Sequence, residues 1–135
     1  MIFLAIFFIS PLKAIAAKDP VIRVLIGQEK KVRFRADGAK SFFVKGISSK
    51  QRSIKSINII YDNGNVNYSI NNNKNSWFQL PKNFNLIIKN NDDRGIWYKN
   101  RRYAGDLRIA LNDQNLQIIN SLNLEKYLKS VVGSE

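Results

Sequence analysis

The sequence predicts an α+β domain that is predominantly antiparallel β-structure, built from hairpins, with one amphipathic helix at its C-terminal end. Two observations support this fold class. Short runs of alternating apolar and polar residues are separated by segments rich in Asn and Gly, as in sheets made of hairpins. Apolar residues recur with clear helical spacing only near the end of the chain. The length of 135 residues suits one domain with a modest core.

Residues 1–17 have the pattern of a secretory signal peptide. The apolar run at residues 2–9 is followed by Pro11 and by a small-residue tail with an Ala-x-Ala cleavage pattern before Lys18. This run is too short to span a bilayer. We expect cleavage and export to the periplasm or cell wall, with contact to a membrane only through an uncleaved leader. A signal peptide usually begins with basic residues, but the Met1 amine is the only positive charge before this apolar run. A misplaced start codon or an uncleaved anchor is therefore the alternative.

Residues 21–26 form a nearly continuous apolar run, which predicts a strand covered on both faces. The segments that follow are typical of strands by their patterning: residues 32–35, 56–61, 66–70, 84–88, 107–111 and 116–119. Turn chemistry at residues 62–65 (DNGN) and 112–115 (NDQN) predicts two hairpins.

A single apolar stripe predicts the helix. Its members fall at positions i, i+3, i+4, i+7 and i+8: Leu124, Tyr127, Leu128, Val131 and Val132. Asn123 is a candidate N-cap, and Glu125 in the first turn suits the helix dipole. A helix this short is marginal alone, so we expect it to pack on the preceding sheet and on helices that follow Glu135.

The chain has no Cys and no His. Thiolate nucleophiles, imidazole bases and the usual zinc ligands are therefore excluded, and neither a metal nor a cofactor is expected. The net charge of +12 has two explanations. An AT-rich genome raises the Lys content without selecting any partner, whereas the arginines favour attraction to an anionic wall or membrane surface.

Three segments follow one another in a distinctive order: residues 103–109 (YAGDLRI), 116–120 (LQIIN) and 122–135 (LNLEKYLKSVVGSE). A Tyr-x-Gly strand, a strand closing on Asn and a Leu-Glu-x-Tyr-Leu helix ending at Ser-Glu resemble the stage II sporulation protein D and amidase-enhancer LytB family. The resemblance extends loosely to residues 21–26. It implies that residues 18–135 are the N-terminal portion of that domain, truncated at the Ser-Glu motif and inactive alone.

Two interpretations of Glu135 follow from the residues. If the helical register persists, its carboxyl shares the apolar stripe, where desolvation would raise its pKa. If the helix ends at Gly133, Glu135 is a surface residue. The resemblance favours the first, because the matching Glu of the sporulation branch is catalytic.

In that branch the Glu is the sole acid and base of a peptidoglycan lytic transglycosylase. It protonates the glycosidic oxygen and then deprotonates the 6-hydroxyl of muramic acid, which closes a 1,6-anhydro ring. The resemblance implies the same chemistry for Glu135, acting on glycan strands already stripped of peptides.

The amidase-enhancer branch offers a non-catalytic alternative, a wall-associated module that binds glycan strands and assists a cell-wall amidase. Arg101, Arg102 and Tyr103 are the candidate glycan contacts. Trp77, Trp97 and Tyr98 are further candidates for stacking on sugars, although large aromatics more often fill cores. A basic β-barrel that binds nucleic acid is a third class, which an export signal disfavours.

Overall fold

The computed structural model describes residues 20–38, 40–47, 53–73, 75–90 and 94–133, whose strands form two antiparallel sheets. The predicted leader at residues 1–17 and the candidate acid Glu135 lie outside the described residues. Mostly antiparallel β-structure with one short C-terminal helix confirms the predicted fold class at that level.

The described ranges contain eleven strands and one helix. In chain order they are β1 (Val21–Glu29), β2 (Lys31–Ala36), β3 (Phe43–Lys45), β4 (Ser56–Asp62), β5 (Asn65–Ile70), β6 (Phe78–Gln79), β7 (Leu86–Lys89), β8 (Ile96–Tyr98), β9 (Arg101–Tyr103), β10 (Asp106–Asn112), β11 (Asn115–Asn123) and α1 (Leu124–Gly133). Sheet A has the strand order β1-β11-β10-β7-β3, and sheet B has the order β6-β5-β4-β2-β8-β9.

The hydrophobic core consists of inward-facing side chains from both sheets. On β2, Val32 and Phe34 are buried while the residues between and beside them are exposed, as the alternation predicts. Sheet A contributes residues such as Ile88, Leu107 and Ile118, all fully buried. Burying one such side chain stabilises a fold by roughly 1.5–3 kcal/mol, so the core can hold the domain without disulfides.

Both predicted hairpins are confirmed. β4 pairs with β5 up to Asp62 and Asn65, and the two loop residues Asn63 and Gly64 have φ values of 49° and 81°. Positive φ at both positions is the geometry of a type I′ turn, which Asn-Gly favours. β10 and β11 form the second hairpin through residues 112–115.

The prediction that residues 21–26 are covered on both faces is wrong. Among the described strands, β1 pairs only with β11 and lies at the edge of sheet A. Val21 is 55% exposed and Leu25 is 50% exposed, because none of the described elements packs over that face. Burial does alternate along residues 21–26, but the exposed positions Val21 and Leu25 are apolar, so the sequence does not show the alternation.

Residues 103–109, predicted as one strand, belong to two. Tyr103 ends β9 in sheet B, and Asp106 begins β10 in sheet A. The chain crosses between the sheets at Gly105, whose φ is 83°. A Cβ atom at Gly105 would collide with the carbonyl oxygen of Ser121, so only glycine fits this crossing.

Asn120 holds the crossing in place from β11. Its side chain is 94% buried, since its relative exposure is 6%. Its Nδ2 donates to the carbonyl oxygens of Ala104 at 2.8 Å and Asp106 at 3.2 Å. One side-chain amide therefore satisfies two backbone acceptors on either side of Gly105.

The remaining strand predictions differ in their bounds. The strand expected at residues 84–88 begins at Leu86, and short strands such as β3 and β6 carry too few residues to show a pattern.

Helix α1 begins as predicted. The side-chain oxygen of Asn123 accepts a hydrogen bond from the Lys126 amide at 2.8 Å, which makes Asn123 the N-cap. Leu128, Val131 and Val132 are 51%, 42% and 69% exposed. None of the helical structure in the described ranges reaches the length and apolarity that a membrane span requires.

Replacing Asn120 tests the crossing. Asn120→Ala should lower the free energy of unfolding by about 1–3 kcal/mol, because two buried carbonyls lose their donor. Asn120→Asp should be at least as destabilising at neutral pH, because a carboxylate only accepts. Its deficit should shrink near pH 4, where a protonated carboxyl can donate. Urea unfolding at both pH values measures this. A neutral effect of Asn120→Ala would contradict the assigned role.

Candidate functional site

A cleft of about 280 Å³ opens where sheet A extends past the edge strand β9 of sheet B. Strands β1 and β11 form its floor, β9 and the crossing form one side, and α1 forms the other. Its lining residues come from all of these elements: Val24, Ile26, Arg101, Arg102, Tyr103, Ala104, Asn120, Leu122, Tyr127 and Val131.

All three predicted glycan-contacting residues border this cleft, but they do not act alike. Tyr103 pairs with the inward-facing Ile96, and its ring lies 5.6 Å from the guanidinium carbon of Arg101. The side chain of Arg102 is on the opposite face of sheet B, where Nη1 lies 3.4 Å from Asp37 Oδ2. Arg101 and Tyr103 are thus the members of the predicted trio that can present side chains to a ligand in the cleft.

The cleft combines an apolar floor with cationic and aromatic groups. Among the described residues that line it, none is acidic. Arg101 is exposed and Tyr103 is half-buried, with its ring 6.1 Å from the ring of Tyr98. Apolar contact area together with a few polar groups is the usual composition of a carbohydrate or small-molecule site. Acid-base chemistry by a carboxyl in this cleft would need a group other than these lining residues, and Glu135 is the predicted source.

The three further candidates for stacking on sugars have different environments. Tyr98 is 3% exposed and belongs to the core. Trp97 is half-buried, with the guanidiniums of Arg35 and Arg102 each 5.4 Å from its ring. Trp77 is 40% exposed at the far edge of sheet B, remote from the cleft. The expectation that aromatics fill the core is therefore confirmed for Tyr98 and wrong for Trp77.

Asp37 neutralises part of the charge beside the cleft. It accepts a hydrogen bond from Trp97 Nε1 at 3.2 Å and lies 3.8 Å from Arg94 Nε. The Trp97 hydrogen bond, aided by the charges of Arg102 and Arg94, holds the pKa of the Asp37 carboxyl below its usual range. Asp37 therefore stays ionised at neutral pH and fixes Arg102 on the outer face.

A second polar cluster links β1 of sheet A to β8 of sheet B. The Tyr98 hydroxyl donates to Glu29, and Glu29 Oε1 is 2.8 Å from Lys99 Nζ. A Cβ atom at Gly27 would collide with that hydroxyl, so glycine lets Tyr98 reach β1. Burial, reinforced by Glu29, raises the pKa of Tyr98 well above its usual value. Burial opposes ionisation of Glu29, but hydrogen bonds from Lys99 and Tyr98 outweigh it and lower the pKa of Glu29.

Sequence reasoning missed the residues that form the floor of the cleft. Val24, Asn120 and Leu122 share one face of paired strands, as their register requires. Their alternation signals a strand, but only the pairing of β1 with β11 reveals which side they share. Over the described ranges, no group of three or more Asp and Glu side chains could hold a metal ion.

No protein-family model, curated protein or solved structure matches this chain. The resemblance to the sporulation protein D and LytB family therefore enters the functional argument as a hypothesis.

The Tyr98 cluster gives a prediction about pH. Tyr98→Phe removes a hydrogen bond to a carboxylate and should lower the free energy of unfolding at pH 7 by about 1.5–3 kcal/mol. The phenol has a raised pKa when folded, so its stabilisation is complete below the unfolded pKa of about 10 and is lost above it. The deficit of Tyr98→Phe should therefore shrink by up to about 1.4 kcal/mol per pH unit above pH 10. Denaturant unfolding of both proteins between pH 7 and 11 measures it. A deficit that stays constant across this range would contradict the burial argument.

Proposed function

We propose that this protein is an exported, peptidoglycan-remodelling protein of the sporulation protein D and LytB type that binds glycan strands in the cleft beside α1. One observation carries the proposal: Arg101 and Tyr103, the residues predicted to contact glycan, border the same cleft as the helix that leads to Glu135. These features are far apart in sequence from the β1 residues of the floor. The fold brings them together.

The chemistry of the cleft suits a sugar chain. The Tyr103 ring offers a flat apolar surface against which a sugar ring can pack. Arg101 offers charged hydrogen-bond donors for the carboxylate of a muramic acid lactyl group. The floor formed by Val24, Ile26 and Leu122 excludes water from the other side of such a ligand.

The proposed role of α1 is to carry the catalytic carboxyl. The helix runs to Gly133, and Tyr127 and Val131 line the cleft, so its C-terminal turn lies beside the site. We propose that α1 is an amphipathic helix whose apolar residues Leu128 and Val132 are covered by a further part of the protein or by a partner. Such a cover would desolvate a carboxyl in the next turn and raise its pKa, as a lytic transglycosylase requires.

The enhancer role is the second candidate. It is favoured by the composition of the cleft, in which the described lining residues supply cationic and aromatic contacts but no acid. A module of this kind would hold glycan strands and present them to an amidase.

Arg101 tests glycan binding. Arg101→Ala in the mature protein should weaken binding to peptide-free glycan strands roughly tenfold, the equivalent of one charge-assisted hydrogen bond. Arg108→Ala is the matched control, since Arg108 is an exposed arginine on the outer face of sheet A. Sedimentation with purified glycan measures both variants. Equal losses for the two would mean that binding depends on net charge and not on the cleft.

Glu135 tests the chemistry. In the protein with any residues encoded after Glu135 included, Glu135→Gln should abolish release of 1,6-anhydro-muramic products while leaving glycan binding intact. General acid-base catalysis is worth about 10² to 10⁴ in rate, and the amide cannot transfer the proton. If neither protein forms anhydro products and both stimulate an amidase equally, the enhancer role is correct. Loss of binding in Glu135→Gln would mean that Glu135 is structural.

A further inference from the structure

We propose that the outer face of sheet B is a second binding surface, separate from the cleft, for an anionic polysaccharide. The surface is defined by Lys31, Arg33 and Arg35 on β2, by Ser69 on β5 and by Trp77 before β6. This surface is independent of the cleft and of the role of Glu135.

The register of the strands places these residues on one face. Val32 and Phe34 are buried in the core, so the three cations between and beside them point outward. Arg33 pairs with Asn58, which pairs with Ser69. Residues directly opposite one another in an antiparallel sheet share a face, so Ser69 lies on the same side as Arg33.

The cations of this row form no ion pair with the described residues, although Glu29, paired with Lys99, lies near them. Within the described residues, none of Lys31, Arg33 and Arg35 has a carboxylate in ion-pair distance. Alternate residues of a strand lie about 7 Å apart, so the row presents regularly spaced positive charge. A polymer with repeated negative groups can contact several members of such a row at once, which a single small anion cannot.

A depression of about 460 Å³ adjoins the row, and two of its features indicate a sugar. Trp77 lines it and is 40% exposed, which offers an aromatic face for the apolar side of a sugar ring. Ser69 lies at its floor with 1% exposure, and among the described residues its hydroxyl has no hydrogen-bond partner. A buried hydroxyl without a partner is costly, so a hydroxyl-bearing ligand would supply what the fold leaves unsatisfied.

The aromatic side chains favour a polysaccharide over single-stranded nucleic acid. Proteins that bind single strands stack successive bases on several open aromatic rings. On this face, β2 and β9 on either side of β8 each place a guanidinium against Trp97, from Arg35 and from Arg102. Trp97 is therefore committed to positioning arginines. Among the described residues of this face, only Trp77 offers an open ring. One ring can pack against one sugar, whereas single-stranded nucleic acid would need several rings for successive bases.

The test compares the affinity of the mature protein for defined probes by isothermal titration. Oligogalacturonate carries sugar carboxylates, and a glycerol-phosphate polymer bearing sugars carries phosphates. Dextran supplies sugar without charge, inorganic polyphosphate supplies charge without sugar, and oligo-dT supplies charge with bases. We expect binding to one or both anionic sugar polymers, with dextran and polyphosphate at least about tenfold weaker. The preferred polymer identifies whether carboxylate or phosphate is recognised.

Variants separate this surface from general electrostatics. Arg33→Ala and Trp77→Ala should each weaken the preferred probe about tenfold, whereas Trp77→Phe should retain most of the affinity and Arg108→Ala should change it less than about twofold. Ser69→Ala should weaken binding without lowering the thermal midpoint, since the substitution removes no hydrogen bond within the described residues.

Several results would overturn the proposal. One is absence of binding to both sugar polymers. Others are equal affinity for polyphosphate, tighter binding of oligo-dT, or equal losses for Arg33→Ala and Arg108→Ala. A lower thermal midpoint for Ser69→Ala would show that the hydroxyl is structural.

Discussion

The crossing of the chain from sheet B to sheet A at Gly105 is the constraint on which the candidate site depends. Because Tyr103 ends β9 and Asp106 begins β10, the edge strand of sheet B is joined to sheet A, and β9 lines one cleft with β1 and β11. The carbonyls around Gly105 have their donor in Asn120, one strand away from the crossing. Without this arrangement β9 would not face β1 and β11, and the cleft would have no side opposite α1. The Tyr-x-Gly segment and the Asn that ends residues 116–120 thus act together, because Asn120 holds the crossing at Gly105 in place.

Local chemistry explains which parts of the fold could be predicted. The Asn63-Gly64 turn and the Asn123 cap act through neighbouring residues, so the sequence displays them directly. The edge position of β1 and the division of residues 103–109 depend on contacts between distant segments. An apolar run such as residues 21–26 has the same composition whether its second face is covered or open. Arg101 and Tyr103 are candidates because of their side-chain chemistry under the enhancer hypothesis, whereas only strand pairing identifies the floor of the cleft.

The charged residues on the outer face of sheet B form two groups. Asp37 gathers Arg94 and Arg102 at one corner, and its lowered pKa keeps that corner ionised at neutral pH. Lys31 and Arg33 on β2 have no such partner among the described residues. Surface cations without partners cost little in water but raise the local potential, which attracts anionic ligands at a distance. A compositional bias toward Lys is one of the two explanations of the net charge of the chain. It does not explain why arginines alternate on one face of β2.

Arg102 lies between the cleft and the outer face of sheet B, so it belongs to both candidate binding surfaces. Arg102 borders the cleft, but its guanidinium lies on the outer face, where it pairs with Asp37 and packs over Trp97. A substitution at Arg102 would therefore disturb the cleft edge, the Asp37 corner and the Trp97 ring together. Arg101, one residue earlier, points to the other side because successive residues of a strand alternate between faces. The two adjacent arginines thus lie on opposite faces of one edge strand. Of the two, only Arg101 can be substituted to test the cleft alone.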